Sequence, residues 1–480
     1  MNVLPAPAGR PLGLPRLTGW QLFVFALVVA LGSEYWDKNP LHLPNGIAIP
    51  WPRFLLAMAI TPLAIGAGVW RWSALLALPR EMRPLLIFYA GCGLSIVGLL
   101  LHPLAPDGVI QFFRTFVHLS LYVLLVYVVV KHVTWERLEL LVGAYYLLGI
   151  VGATIALLQF VNGAFGLLPW MSAFHFRSAN YEVGAGLTMG FRASSIFGEP
   201  SWAARYYVHW IAIACGYWAF TRRPRHLAAL VLFLLAFYVA NSLLGYVLLG
   251  VFVVAFLLTQ MWKRNMFSLS PRRKAALVAL AYVGLLAWLL GFEMPLPELF
   301  DRSVRRVGLV AQGGGGSGNR WDSIFAGLEV WRRAPAFGVG LGNIDGHIVQ
   351  FYKDKAYIFR SYFGSDSLYV QILAETGVIG LVTFLYFWTR LMFFRVPASF
   401  SAARFGAGAG QAYSWLRFLQ LDALAQMAGM LNYSDYLSPH MWTVVAMLLA
   451  CGAVVRREAQ LTEPEQTPAL LPRLKTAPAG

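Results

Sequence analysis

The sequence predicts an all-α polytopic membrane protein with about twelve spanning helices, each needing about 20 mostly apolar residues. Composition is the first observation: of 480 residues, 58% are hydrophobic and only 12% charged, with a mean hydropathy of +0.60. Soluble domains are about a quarter charged. The second is the recurrence of apolar runs of spanning length. The third is that basic residues cluster between alternate runs, as at "RRPRH" (222–226), "KRNMFSLSPRRK" (263–274), 395–404 and "RR" (456–457).

The runs fall near 18–33, 52–70, 84–104, 109–130, 138–161, 201–220, 226–240, 242–261, 275–292, 367–394, 411–430 and 434–455. The stretch 226–261 is too long for one span, and "NSLLG" (241–245) reads as a turn between two short ones. Pro62 removes an internal helix bond and predicts a kink in the second run. With this count all four basic clusters share one side, which the positive-inside rule makes cytoplasmic, along with both termini. The formal charge of +16 is then a matter of topology, and nucleic acid is not expected as a partner. The basic N-terminus leads into an apolar run with no small-residue cleavage site after it, so a retained first span is expected. Cys92, Cys215 and Cys451 all lie in apolar runs and form neither a disulfide framework nor a metal-ligand spacing.

The chain therefore divides into helices and one loop over 1–292 (loop 162–200), a large extracytoplasmic loop over 293–366, further helices over 367–455, and a Pro-rich tail expected to be disordered over 456–480. Long loops are commonly functional or disordered. In the second loop "NRWDSIFAGLEVWRRAP" (319–335) spaces Trp321, Ile324, Phe325, Leu328 and Trp331 as one helical face ending at Pro335, which predicts an amphipathic helix capping the bundle or lying at the interface.

Chemistry-bearing residues gather on that side. "GFRASSIFGEPSWAARYYVHW" (190–210) places Arg192, Glu199 and Arg205 about the start of a span. Pro200 suits a first helical turn, and Glu199 suits the positive helix end, so a capped start explains part of this cluster and a ligand site the rest. "NRWDSIFAGLEVWRRAPAFGVGLGN" (319–343) holds Arg320, Asp322 and a Gly338-Gly340-Gly342 run. Such a run can cradle phosphate or make a tight re-entry turn. "GGGG" (313–316) lacks the Gly-Lys-Ser/Thr of a P-loop and reads as a hinge. In "SDSLYVQILAETGVIG" (365–380), Asp366 opens a span as a helix cap or a catalytic group, and Glu375 projects from the helix within it. A buried carboxylate needs a partner, and Arg320, Arg360 and Arg192 are the cationic candidates. Arg114, His118, Arg417 and Asp422 read as snorkelling or structural.

Together these motifs, spanning 190–380, resemble the O-antigen ligase and Wzy-type polymerase superfamily. Its features are an arginine followed by an "EP-S/N" helix start, then "R-x-x-x-W/F…P…GxGxxN", then a polar pair, nine residues and GxxG. Here they read Arg192 with "GEPS", the 319–343 segment, and Asp366-Ser367 followed by Gly377-Val378-Ile379-Gly380. Ligases of that family carry histidine at the Asp366 position and an arginine where this chain reads "NSLLG"; the "EPS" variant looks like the polymerases. The resemblance implies a GT-C-like architecture in the bacterial inner membrane. It also implies inverting, metal-independent, cofactor-free glycosyl transfer from an undecaprenyl-diphosphate-linked glycan donor to a glycan acceptor on the periplasmic face. Flippase and chain-length regulator proteins are the implied partners. Arg192 and Arg320, supported by Arg205 and Arg360, would hold the diphosphate. Asp366 or Glu199 would orient or deprotonate the acceptor hydroxyl, and Asp322 and Glu375 would contact substrate. A flippase would share intramembrane acids and a basic cavity, but transporters commonly show matched halves, and this chain shows none.

Overall fold

The computed structural model describes residues 18–33, 41–42, 48–49, 51–66, 78–103, 107–165, 167–168, 193–197, 199–262, 318–351, 365–394, 407–431, 433 and 436–462. These residues are helical apart from turns and a two-residue antiparallel pair, β1 (Leu41–His42) with β2 (Ala48–Ile49). The helices are α1 (Gly19–Gly32), α2 (Trp51–Gly66), α3 (Arg83–Leu101), α4 (Asp107–His132), α5 (Trp135–Phe165), α6 (Pro200–Thr221), α7 (Pro224–Ala240) and α8 (Leu243–Trp262). After them come α9 (Gly318–Arg333), α10 (Ile344–Phe351), α11 (Leu368–Met392), α12 (Ala407–Gly429) and α13 (Pro439–Thr462). Each predicted run except 275–292 has a helical counterpart; that run lies outside the described residues, as do most of 162–200 and the tail.

Among the described residues, five segments are long and apolar enough to cross a membrane, Arg80–Leu101, Asp107–His132, Trp135–Gly163, Leu368–Met392 and Pro439–Leu461, with shorter apolar helices in α1, α2, α7 and α8. This is a helical, multi-pass membrane protein. Their outer faces keep large apolar side chains exposed, among them Phe25, Leu100, Val117 and Leu147, as lipid contact demands. The "NSLLG" stretch does turn the chain: Asn241 closes α7 at φ 41, the left-handed conformation that asparagine tolerates at a helix end.

At the centre stands α6, buried along nearly its whole length from Ala203 to Ala214. It packs against α12, α7 and α8, while α11 packs on α3 and α13 on α4. The side chains of Trp210, Trp415, Trp442, Tyr206 and Tyr207 fill the space between these helices and are all fully buried. A helix enclosed by other helices can carry polar groups that lipid would reject. Accordingly α6 buries Arg205 and His209.

The helix α11 is broken. Gly377 has φ 67 and ψ −169 inside it, a conformation that side chains disfavour. The break frees two carbonyls and two N–H groups, and the chain at Pro335–Gly340 satisfies all four. Val339 and Gly340 N–H donate to the carbonyls of Ala374 and Glu375 at 2.9 Å, and Val378 and Ile379 N–H donate to those of Pro335 and Ala336. Irregular backbone at membrane depth survives only when protein supplies such partners.

Candidate functional site

The N-terminus of α11 is held by α9 on one side and by the chain after α12 on another. Ser323, on the second turn of α9, donates its hydroxyl to the Asp366 carboxylate (Oδ2) at 3.2 Å and accepts from the Asp366 N–H at 3.1 Å. This reciprocal pair ties α9 to the entry of α11. A small apolar cluster, including Ala326, Val330, Ile344, Ile348 and Ala374, joins α9, α10 and α11. The inward face of α9 carries Ser323, Ala326 and Val330, whereas Phe325 of the expected apolar face is exposed and Ile324, Leu328 and Trp331 are only partly buried. Asp366 itself is half-buried. The helix cap is Ser367, whose side chain makes no capping bond, so the N-cap reading of Asp366 gives way: its carboxylate faces α9.

The Leu368 N–H donates to the carbonyls of Met430 (2.9 Å) and Tyr433 (2.8 Å). Tyr433 also reaches the second part of the site, since its ring lies 4.4 Å from the Arg205 guanidinium. Tyr206 also contacts Arg205, its ring 4.6 Å away and its hydroxyl bonded both to Arg205 and to Ser438. Arg205 is only 2% exposed, so its guanidinium is held in place by both rings. The network continues from Tyr433 to Gln426 (3.3 Å), from Gln426 to Asp422 (3.2 Å), and from Asp422 to His209. Asp422 therefore has a defined histidine partner. Sequence reasoning missed His209, although its i+4 spacing from Arg205 on one buried face was a usable signal.

Glu199 is the N-cap residue of α6, exposed, and accepts from the Ser201 hydroxyl at 3.2 Å. Arg320 and Asp322 lie in the first turns of α9, one turn and one residue before Ser323. Arg192 and Arg360 lie outside the described residues. The structure thus links the start of α11 to Arg205, by Leu368 on Tyr433 and the Tyr433 ring on Arg205, and places position 320 on the helix that Asp366 touches. Among the remaining polar residues, His118 shares a 3.1 Å contact with Arg53, and Arg417 bonds Tyr413 and Gln420.

Glu375 is 1% exposed, and its partners among the described residues are neutral: Gln371 at 3.1 Å, Tyr436 at 2.8 Å and the Gly342 N–H. The side chains of Arg192, Arg320 and Arg360, the cations expected for it, lie outside the described residues. Its role in the structure is to hold the glycine run. Within that run every N–H is spent inside the protein. Gly338 donates to Ala334, Val339 and Gly340 to α11, Leu341 to Ser95 on α3, Gly342 to Glu375, and Asn343 to Gly340. No donor is left for a phosphate, so the run is a re-entry turn wedged between helices. A methyl group at Gly98 on α3 would run into the Gly338 carbonyl, and one at Gly377 into that of Ala336. Gly98→Val is therefore expected to lower the melting temperature by several degrees, since overpacking costs about 1–3 kcal/mol; an unshifted unfolding curve would show that the wedge is not close-packed.

Close to this turn, His347 on α10 is half-buried with no partner for its Nε2 among the described residues. Burial, with His102 and Arg333 adding to it, lowers its pKa to about 4, so it is neutral at ordinary pH.

Residues 228–385 match the family model described as Wzy_C, O-antigen ligase. The matched segment runs from α7 into α11 and contains Ser323, the glycine run, Asp366 and the break at Gly377; α6, with Glu199 and Arg205, lies before it. No curated protein matches the sequence. The match supports the resemblance to the O-antigen ligase and Wzy-type superfamily that the motifs carry.

Proposed function

We propose that this chain, whose residues 228–385 match the O-antigen ligase family, is a membrane glycosyltransferase that joins undecaprenyl-diphosphate-linked oligosaccharide repeats into a surface polysaccharide. The reaction takes place at the periplasmic face of the bacterial inner membrane. The observation that carries this reading is an oriented carboxylate, Asp366 held by Ser323, at the start of a helix whose Leu368 N–H bonds the Tyr433 carbonyl, while the Tyr433 ring lies against the buried Arg205 guanidinium.

Inverting transfer asks for two things. The attacking sugar hydroxyl needs an acceptor for its proton, and the bond from the anomeric carbon to the diphosphate breaks with negative charge growing on the leaving oxygen. Asp366 takes the first role, with Glu199 as the second candidate. Arginine takes the other: its planar fork makes bidentate, charge-assisted bonds to phosphate, and these strengthen where water is excluded. Arg205 and Arg320 are assigned to it, with Arg192 and Arg360 in support. Asp322 is assigned to substrate contact. Glu375, enclosed by its neutral donors, is withdrawn from substrate contact and assigned to the fold.

A second reading, ligation of finished glycan onto a lipid acceptor, is favoured by the description of the matched family. Glycan chain length in a deletion strain separates the two. Loss of a polymerase leaves single repeats on the final carrier; loss of a ligase leaves long chains on undecaprenyl diphosphate. Single repeats trapped on the cytoplasmic side would instead indicate a flippase and overturn both.

Topology can be checked separately. Ser317→Cys is expected to react with a membrane-impermeant maleimide in whole cells, and Ser270→Cys to react only after lysis. Cys92 and Cys451 are buried and Cys215 partly so, which keeps the background low. The reverse pattern would put the site in the wrong compartment.

A further inference from the structure

At the far end of α11 from Asp366 the helices enclose a second site. The run from Leu368 to Arg390 is roughly 33 Å at 1.5 Å per residue, close to the ~30 Å of a hydrocarbon core. There a cavity of about 940 Å³ opens between the start of α3 and the last turns of α4, α11 and α13. Its mouth carries six cationic side chains, Arg80, Arg83, Lys131, Arg390, Arg456 and Arg457, and one carboxylate, Glu81. Its inner wall is apolar, with Val130, Phe387, Leu391 and Leu449.

Three of the cations are accounted for by the fold. Arg456 bonds Glu81 at 2.9 Å and lies 4.0 Å over the Phe394 ring, Arg457 donates to the Val133 carbonyl at 2.6 Å, and Lys131 donates to the Tyr127 hydroxyl at 2.6 Å. Arg80, Arg83 and Arg390 are exposed and have no hydrogen-bond or ion-pair partner among the described residues. Topology explains why arginines stand at this end of the bundle. It does not explain why they ring a concave opening with an apolar floor, where mutual repulsion raises their cost.

We propose that this cavity binds the headgroup of an anionic phospholipid of the leaflet opposite the transfer site, with the phosphate among Arg80, Arg83 and Arg390 and the upper acyl chain against Phe387 and Leu391. The chemistry on the page is that of an amphiphile: charge-assisted donors at the rim and hydrocarbon behind them. Basic pockets between spanning helices on that side recognise anionic headgroups. A soluble phosphate compound would use the same rim but would leave the apolar wall unfilled.

The test uses the full-length protein purified in detergent, with native mass spectrometry reading retained lipid. Wild-type protein is expected to retain phosphatidylglycerol at least tenfold over phosphatidylcholine, and the Arg80→Gln/Arg83→Gln/Arg390→Gln protein to lose that preference. Arg390→Gln alone, which leaves the helix ends less disturbed, should reduce the preference severalfold, and Arg390→Lys should restore most of it. Equal retention of both lipids by the wild type, or an unchanged preference in the folded variants, would overturn the proposal. So would inorganic phosphate displacing phosphatidylglycerol at equal concentration, which would assign the rim to a soluble phosphate.

Discussion

Replacing Asp366 by asparagine is expected to reduce glycan transfer by roughly a hundred- to ten-thousandfold, the usual contribution of a general base, with an almost unchanged melting temperature. The geometry makes this substitution unusually clean. Asparagine keeps a carbonyl oxygen to accept from the Ser323 hydroxyl, and the bond from the residue-366 N–H to Ser323 belongs to the backbone. What disappears is the negative charge and the basicity. Two comparisons separate chemistry from scaffolding. Ser323→Ala removes one hydrogen-bond partner and should cost about 1 kcal/mol of stability with a modest loss of turnover. Glu375→Gln places an amide against the donors Tyr436, Gln371 and Gly342. A mispaired buried group costs about 1–3 kcal/mol, so its loss should show as a lower melting temperature while the folded fraction stays active. Normal polymer from Asp366→Asn would refute the base assignment and pass the role to Glu199.

Asp366 and Glu375 also show how far a sequence reaches here. Both were visible as acids in a segment that lipid would not tolerate, and both are explained by the protein around them. Their partners were not visible. Ser323 is 43 residues from Asp366, and Tyr436 is 61 from Glu375; periodicity within a helix carries no information on contacts so distant. The same holds for His209 and Asp422, separated by 213 positions. Local features were easier. The existence of α9, though not which of its faces turns inward, the end of α7 at Asn241 and the start of α6 at Pro200 each depend on residues within a turn or two of one another.

The break in α11 was hidden for a different reason. Gly377 sits in an apolar run, and glycine is common in spanning helices, so nothing local marks it as a hinge. Only the glycine turn packed on it, together with Gly98 on α3, makes the broken conformation affordable. The same glycines that suggested a phosphate cradle prove to be spacers that let three segments of backbone approach.

The second large effect is expected at Arg205. Arg205→Lys keeps the charge but loses the planar guanidinium that lies 4.6 Å from the Tyr206 ring and 4.4 Å from the Tyr433 ring. A purely structural arginine there would contribute cation–π stabilisation of about 0.5–2 kcal/mol per ring. Its replacement would then lower the melting temperature and leave turnover per folded molecule intact. An arginine that holds the leaving diphosphate predicts a different outcome. Lysine offers a point charge in place of a bidentate fork, so transfer should fall at least tenfold at saturating donor. The affinity for inorganic pyrophosphate, used as a soluble stand-in for the leaving group, should fall with it. Tyr433→Phe supplies the control: it keeps the ring beside Arg205 and removes only the hydroxyl that reaches Gln426, so pyrophosphate should still bind. Should Arg205→Lys bind pyrophosphate as the wild type does and turn over normally once folded, the guanidinium is a brace for α6 and α12, and the diphosphate must be held by Arg320 with Arg192 and Arg360.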